Sequence, residues 1–167
     1  MALDTTIGGA STDSYATLAE FEYYVEFVIG DTGIGGHGHD ASHESDLRRA
    51  FTWLNRKSWI GTKQYQTQAG AWPRLTSKYI DGWPVDADTI PDDIKNAQLE
   101  LAYLIHEGLD PFATVTNGSV KVERSKAGPV ETETEYMTSR ATPRLVAVEG
   151  LIAPYLKASG QIKLGRA

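Results

Sequence analysis

Four side chains able to bind a metal stand close together: His37, His39, Asp40 and His43 fall within seven residues. Imidazoles and a carboxylate suit zinc or nickel. A metal site also needs a rigid surrounding shell, and this group lies in or beside a glycine-rich stretch, with five glycines over residues 30–38. That favours a solvated polar loop, and no metal or other cofactor is expected. Nucleophilic chemistry is poorly served: there is no Gly-x-Ser-x-Gly elbow and no cysteine, and His106 suits the negative end of a helix with no catalytic role required. The glycine stretch lacks the Lys-Ser/Thr of a phosphate loop. Glu131, Glu133 and Glu135 alternate as on a solvated strand face. The expectation is a protein that is not an enzyme.

A different chemistry is open to residues 48–59. Arg48, Arg49, Arg56 and Lys57 cluster with Trp53 and Trp59 interleaved. Basic groups track a phosphate backbone while aromatic rings stack on bases, as in single-strand binding. Two observations oppose it. Sixteen basic against 22 acidic residues leave a formal charge of −6, and tryptophans at helical spacing usually fill a core.

The elements that position these residues follow from periodicity. The chain has 167 residues, 41% of them hydrophobic, which suits one domain with a core. The absence of cysteine excludes disulfides, and no long apolar run is present to span a membrane. The opening ten residues have neither a basic residue nor an apolar stretch, unlike a secretory signal.

A first helix is expected over residues 15–29, capped by Thr12, Asp13 or Ser14, with Leu18, Phe21, Val25 and Val28 forming its apolar stripe. Tyr23, Tyr24 and Phe27 widen that stripe beyond the needs of a lone surface helix, which points to two neighbours or a subunit interface. Residues 30–38 carry too many glycines for a helix and read as a mobile loop. Ser42 or Ser45 then caps a helix over 43–57, burying Leu47, Ala50, Phe51 and Leu54.

Residues 61–89 read as a long connection pinned by tryptophans, in which Trp72-Pro73 and Trp83-Pro84 favour extended backbone. A third helix follows Pro91, with Asp92 and Asp93 in its first turn and Gly108 after its end. A hairpin spans 118–136, with Val120 and Val122 on one strand, Val130 on the next and residues 125–129 between. One hairpin is marginal alone, so these valines are candidate subunit contacts. A fourth helix covers 143–157, weakened by Gly150 and Pro154. Residues 158–167 show no core pattern and form a flexible C-terminal tail that orders only on binding. The expected architecture is therefore mainly α: a small bundle of about four helices over residues 1–157, with one hairpin between the third and fourth, and the tail.

Several segments taken in order are similar to a family of tailed-phage head–tail connector (adaptor) proteins. They are the run from Asp13 to Glu20, the Ala-Trp-Pro-Arg stretch at 71–74, and the Ile-Pro-x-x-Ile-Lys-x-Ala helix start at 90–97. The hairpin opening at Val120 and the closing apolar helix complete the set. Some members of that family carry a DnaT-like single-stranded DNA-binding label. The resemblance implies a virion component of the neck: a ring, nominally of twelve copies, below the portal of the capsid. Such a ring extends the DNA channel and gives the next neck or tail protein a platform. Genomic duplex passes through without specific binding, and no membrane partner is implied. In related adaptors the last segment docks on the portal, which would assign Ile162 and Leu164 as apolar anchors and Lys163 and Arg166 as charged ones. The alternative is a single-stranded DNA-binding replication accessory protein.

Overall fold

The structure is a computed structural model. It describes residues 2–35, 41–113, 123–127, 130–134 and 145–157, with side chains at 2–33, 41–113 and 145–157.

Helix α1 (Leu18–Tyr24) starts later than its sequence pattern suggests, because Thr17 holds the cap. Its hydroxyl accepts the Glu20 N–H, while the Glu20 carboxylate accepts the N–H and hydroxyl of Thr17. This reciprocal pair satisfies two backbone donors that the first turn leaves open. Thr12 and Ser14 are buried elsewhere, Ser14 bonding the Ala16 carbonyl. Beyond Tyr24 the chain widens into a π-helical turn, Val25–Ile29, closed by Gly30 N–H donating to the Val25 carbonyl at 3.0 Å. The wider turn breaks the three-and-four spacing. Phe21 and Val25 stay buried, whereas Val28 rotates out to 60% exposure, contrary to its place in the expected stripe.

Burial raises the pKa of Glu20, but its bonds to Thr17 and the charge of Lys95 more than offset this, so the carboxyl titrates below the ordinary 4.5. A depressed folded-state pKa stabilises fully above the unfolded value and is lost as pH falls through the folded one. The protection factor of the Thr17 amide, which donates to that carboxylate, should therefore fall between pH 5 and pH 3. In Glu20→Gln it should stay flat over that interval.

Residues expected to form only a mobile loop include a one-turn helix, α2 (Thr32–Gly35), where Asp31 accepts the Gly33 N–H. Helix α3 (Ala41–Asn55) includes Ser42 and Ser45 rather than starting after them. Helix α4 (Asp92–His106) follows Pro91 and keeps its apolar face buried. The two run antiparallel: His43 meets His106 at one end, and Gln98 reaches the Leu47 carbonyl further along.

Gln98 is wholly buried and all its polar atoms have partners. Its Oε1 accepts the Tyr15 N–H, and its Nε2 donates to Ser14 Oγ and the Leu47 carbonyl. Gln98→Leu keeps the volume but strands the Tyr15 N–H, at an expected cost of about 2–4 kcal/mol. Urea unfolding checks this as a lower midpoint at unchanged slope.

The middle of the chain overturns the expected helical bundle. Residues 61–89, read as a connection, contain two antiparallel pairs: β1 (Thr62–Lys63) with β2 (Arg74–Leu75), and β3 (Tyr79–Ile80) with β4 (Trp83–Pro84). The architecture is helices packed with a β-built middle section, rather than a bundle with one hairpin. Two-residue strands are too short to leave an alternating pattern. They are fixed by turn geometry and side-chain anchors. Asp81 and Gly82 both have positive φ, as a two-residue hairpin turn requires. Gly61, at φ +66°, lies where an added Cβ would collide with the Leu75 carbonyl oxygen.

The later hairpin pairs β5 (Glu123–Ala127) with β6 (Val130–Thr134), with Ala127 opposite Val130. Residues 125–127, expected in the turn, belong to the strand. Val120 and Val122 lie outside the described residues, as does the side chain of Val130. The last helix is shorter than expected: α5 (Leu145–Ile152) tightens into a 3-10 turn, Ala153–Tyr155, at Pro154. The Lys157 N–H then donates to the Ser58 carbonyl. Residues 158–167, with Ile162, Lys163, Leu164 and Arg166, lie outside the described residues.

Candidate functional site

Trp53 and Trp59 are buried, 7% and 3% exposed, and the Trp59 indole N–H donates to the Leu54 carbonyl. Neither ring offers a face to a base. All four cations have partners within the chain. Arg48 Nε lies 2.7 Å from Asp13 and its guanidinium 3.3 Å from Glu44. Arg49 pairs with Asp110 at 3.0 Å. Arg56 lies over the Phe112 ring, and Lys57 over Trp53 at 3.6 Å. Burial lowers the pKa of Lys57, with Glu149 acting in the opposite sense. The basic and aromatic residues thus alternate in sequence without forming a groove of cations beside open rings.

The histidine cluster is also divided. His43 lies in the first turn of α3 and is buried against Phe21 and His106, while His37, His39 and Asp40 lie outside the described residues. His106 Nδ1 is 3.3 Å from Asp46 Oδ2. Burial raises the Asp46 pKa, and His106 chiefly opposes it. Among the described residues no group of three His, Cys, Asp or Glu side chains could hold a metal ion.

A cleft of about 660 Å³ opens instead along α1 and its π turn. Tyr23, Tyr24 and Val28 form one wall, Leu99 of α4 and Leu151 of α5 the other, and Glu20, Asp92 and Lys95 stand at its polar edge. The Tyr24 hydroxyl donates to Glu100 at 3.2 Å; burial and that carboxylate push its pKa up to about 12. Lys95 is 3.3 Å from Glu20. Beside the cleft, Phe27 stacks on Tyr23 with centroids 4.7 Å apart, and both rings are nearly two-thirds exposed. Of the residues expected at a subunit interface, Tyr23 and Phe27 therefore face solvent, while Tyr24 is half-buried in the cleft wall.

Sequence reasoning missed a second apolar feature, the β3–β4 hairpin. Tyr79 and Trp83 are 66% and 77% exposed. The register pairs Trp83 with Ile80 and Tyr79 with Pro84, which puts the two rings on opposite faces rather than in one stack. Asp81, Asp86 and Asp88 accompany them, a poor setting for phosphate. The Asp-Gly pair was the signal that could have revealed this hairpin.

A family model described as "Putative DnaT-like ssDNA binding protein" matches residues 1–167. The chain belongs to this family. No curated protein and no solved structure matches it. Membership thus rests on the whole chain, and the resemblance to head–tail connectors has no counterpart in these comparisons.

Proposed function

We propose that this member of the DnaT-like family is a structural head–tail adaptor, a non-enzymatic virion protein that assembles as a ring on a phage portal. The observation carrying the reading is the exposed Tyr23–Phe27 stack beside an apolar cleft. Contiguous exposed aromatics of this kind mark docking surfaces. A ring built from one chain needs two different complementary faces. The α1 cleft and the exposed rings of the β3–β4 hairpin are separate apolar features, as two different faces must be. The formal charge of −6 per copy fits a channel through which DNA passes without adhering, since acidic groups release no counterions from phosphate. Ile162, Lys163, Leu164 and Arg166 are the proposed portal anchors.

The test is co-sedimentation with the portal of the same phage. Wild-type chain should travel with the portal as a full ring of copies, and Tyr23→Asp/Phe27→Asp should fail to complete that ring while keeping its circular dichroism and melting midpoint. A full ring formed without the two exposed rings would contradict the reading.

The family description favours a second reading, single-stranded DNA binding. Its observable is affinity for an oligonucleotide that falls steeply with salt. Arg56→Ala/Lys57→Ala should then weaken it. The adaptor reading expects no such affinity at physiological salt.

A further inference from the structure

We infer that the α1 face of one copy docks on a basic ledge of the next, formed by Arg56, Lys57 and Phe112 and flanked by Val146 of α5. The inference deepens the adaptor reading by naming the two faces that meet between subunits. It rests on that reading only for the closure of such contacts into a ring.

The two faces carry opposite charges that the fold leaves without ion partners. Helix α1 and its π turn hold Glu20, Glu22 and Glu26 and no basic residue. Glu20 pairs with Lys95 at the cleft edge. Glu26, next to Phe27, and Asp92, at the cleft edge, are both exposed, and neither has a cation within ion-pair distance among the described residues. On the ledge the signs are reversed. Arg48 and Arg49 are paired with carboxylates, whereas Arg56 lies over Phe112 at 4.6 Å and Lys57 over Trp53. The charge of Glu149 acts on Lys57 without an ion pair between them. A ring face holds a cation without neutralising it, so Arg56 and Lys57 can both take a carboxylate from another chain.

Both faces also carry apolar surface. Tyr23, Phe27 and Val28 are exposed on one, and Val146 on the other, where Phe112 is half-buried beneath Arg56. Helix α5 separates them: Val148 and Ile152 form its buried stripe, Leu151 lines the cleft, and Glu149 is within reach of Lys57. The helical period puts Leu151 and Glu149 on opposite flanks of that stripe, with Val146 one turn before Glu149. Two different faces on opposite flanks propagate a contact head to tail. A symmetric pairing of two α1 faces would instead set Glu26 and Asp92 among carboxylates of like charge. The β3–β4 hairpin of a second copy is the poorer match for the same reason, since it comes with Asp81, Asp86 and Asp88.

Sedimentation velocity of the full-length chain at low salt, without portal, tests the contact. Wild type should associate as its concentration rises, and added salt should weaken that association. Glu26→Lys alone and Arg56→Glu alone should each weaken it at least about tenfold, because each sets like charges against one another. Both changes in one chain, or an equal mixture of the two single variants, should restore most of it, since every contact then joins opposite charges again. A misfolded variant cannot be rescued by mixing, so this recovery separates charge from folding. A wild-type chain that stays monomeric at every concentration would overturn the inference. So would association lost in Trp83→Asp but kept in Arg56→Glu, which would assign the contact to the hairpin. Rescue by charge exchange in a chain that ignores the portal would remove the adaptor reading and leave this contact standing.

Discussion

Replacing Arg74 with methionine should lower stability by about 3–5 kcal/mol, because three carbonyls lose a charged donor at once. Arg74 is 9% exposed, and its guanidinium donates to Ile60 at 2.6 Å and to Ala71 and Gly61 at 2.9 Å. Those carbonyls belong to the segments flanking β1 and β2, so one side chain joins the two short strands. Burial lowers the Arg74 pKa and Tyr15 partly opposes this, yet arginine titrates so high that it remains charged. Methionine fills similar space without donors. For a chain of this size the loss corresponds to a melting point lower by roughly 6–20 °C. Arg74→Lys should recover only part of it, since an ammonium cannot reproduce the planar fork. Equal stability of Arg74→Met and wild type would mean that the carbonyls find water instead.

Trp72→Ala should cost about as much, roughly 3–5 kcal/mol, by a different route. Trp72 is 1% exposed and makes edge-on contacts with Trp59 at 5.7 Å and Tyr155 at 5.6 Å. Its Nε1 has no hydrogen-bond partner among the described residues, so the ring acts through packing. These contacts join the middle section to the end of α3 and to the turn after α5. Removing the ring leaves a cavity where these three segments meet. Thermal unfolding of Trp72→Phe, which keeps an aromatic ring, should fall between wild type and Trp72→Ala. Because Trp72 and Arg74 support the same section, the double variant should lose less than the sum of the two.

The Ala71–Arg74 stretch shows what the sequence conveyed and what it hid. Its residue types drew attention, and the structure gives each a role: the Ala71 N–H donates to Asn55 and Tyr15, Trp72 packs, the Pro73 carbonyl accepts from Gln64 and Gln68, and Arg74 donates to three carbonyls. The strands it supports were not legible, since two residues cannot display a period and their pairing depends on anchors distant in sequence. Helix α4 was legible nearly to its ends, because fifteen residues repeat an apolar face and Pro91 and Gly108 bracket them. Helix α1 was readable only as far as Tyr24; no local signal announces the π turn that exposes Val28.

The candidate site was legible in part for the same reason. The surplus aromatics at Tyr23 and Phe27 stood out against the needs of one buried stripe, and they are exposed. The opposite wall, Leu99 and Leu151, comes from helices far along the chain, so no spacing could associate them. The basic cluster at 48–57 was legible only as composition, which does not distinguish a free cation from one already paired with Asp13 or Asp110. Trp53 is core, as tryptophan at helical spacing suggested, with Lys57 over its ring.

Native mass spectrometry of the full-length chain, mixed with the portal of the same phage and with a single-stranded oligonucleotide present, tests the central claim most directly. The adaptor account predicts a complex holding one full ring of copies per portal, with no oligonucleotide retained on the chain. A portal that stays bare while the chain carries oligonucleotide would contradict it.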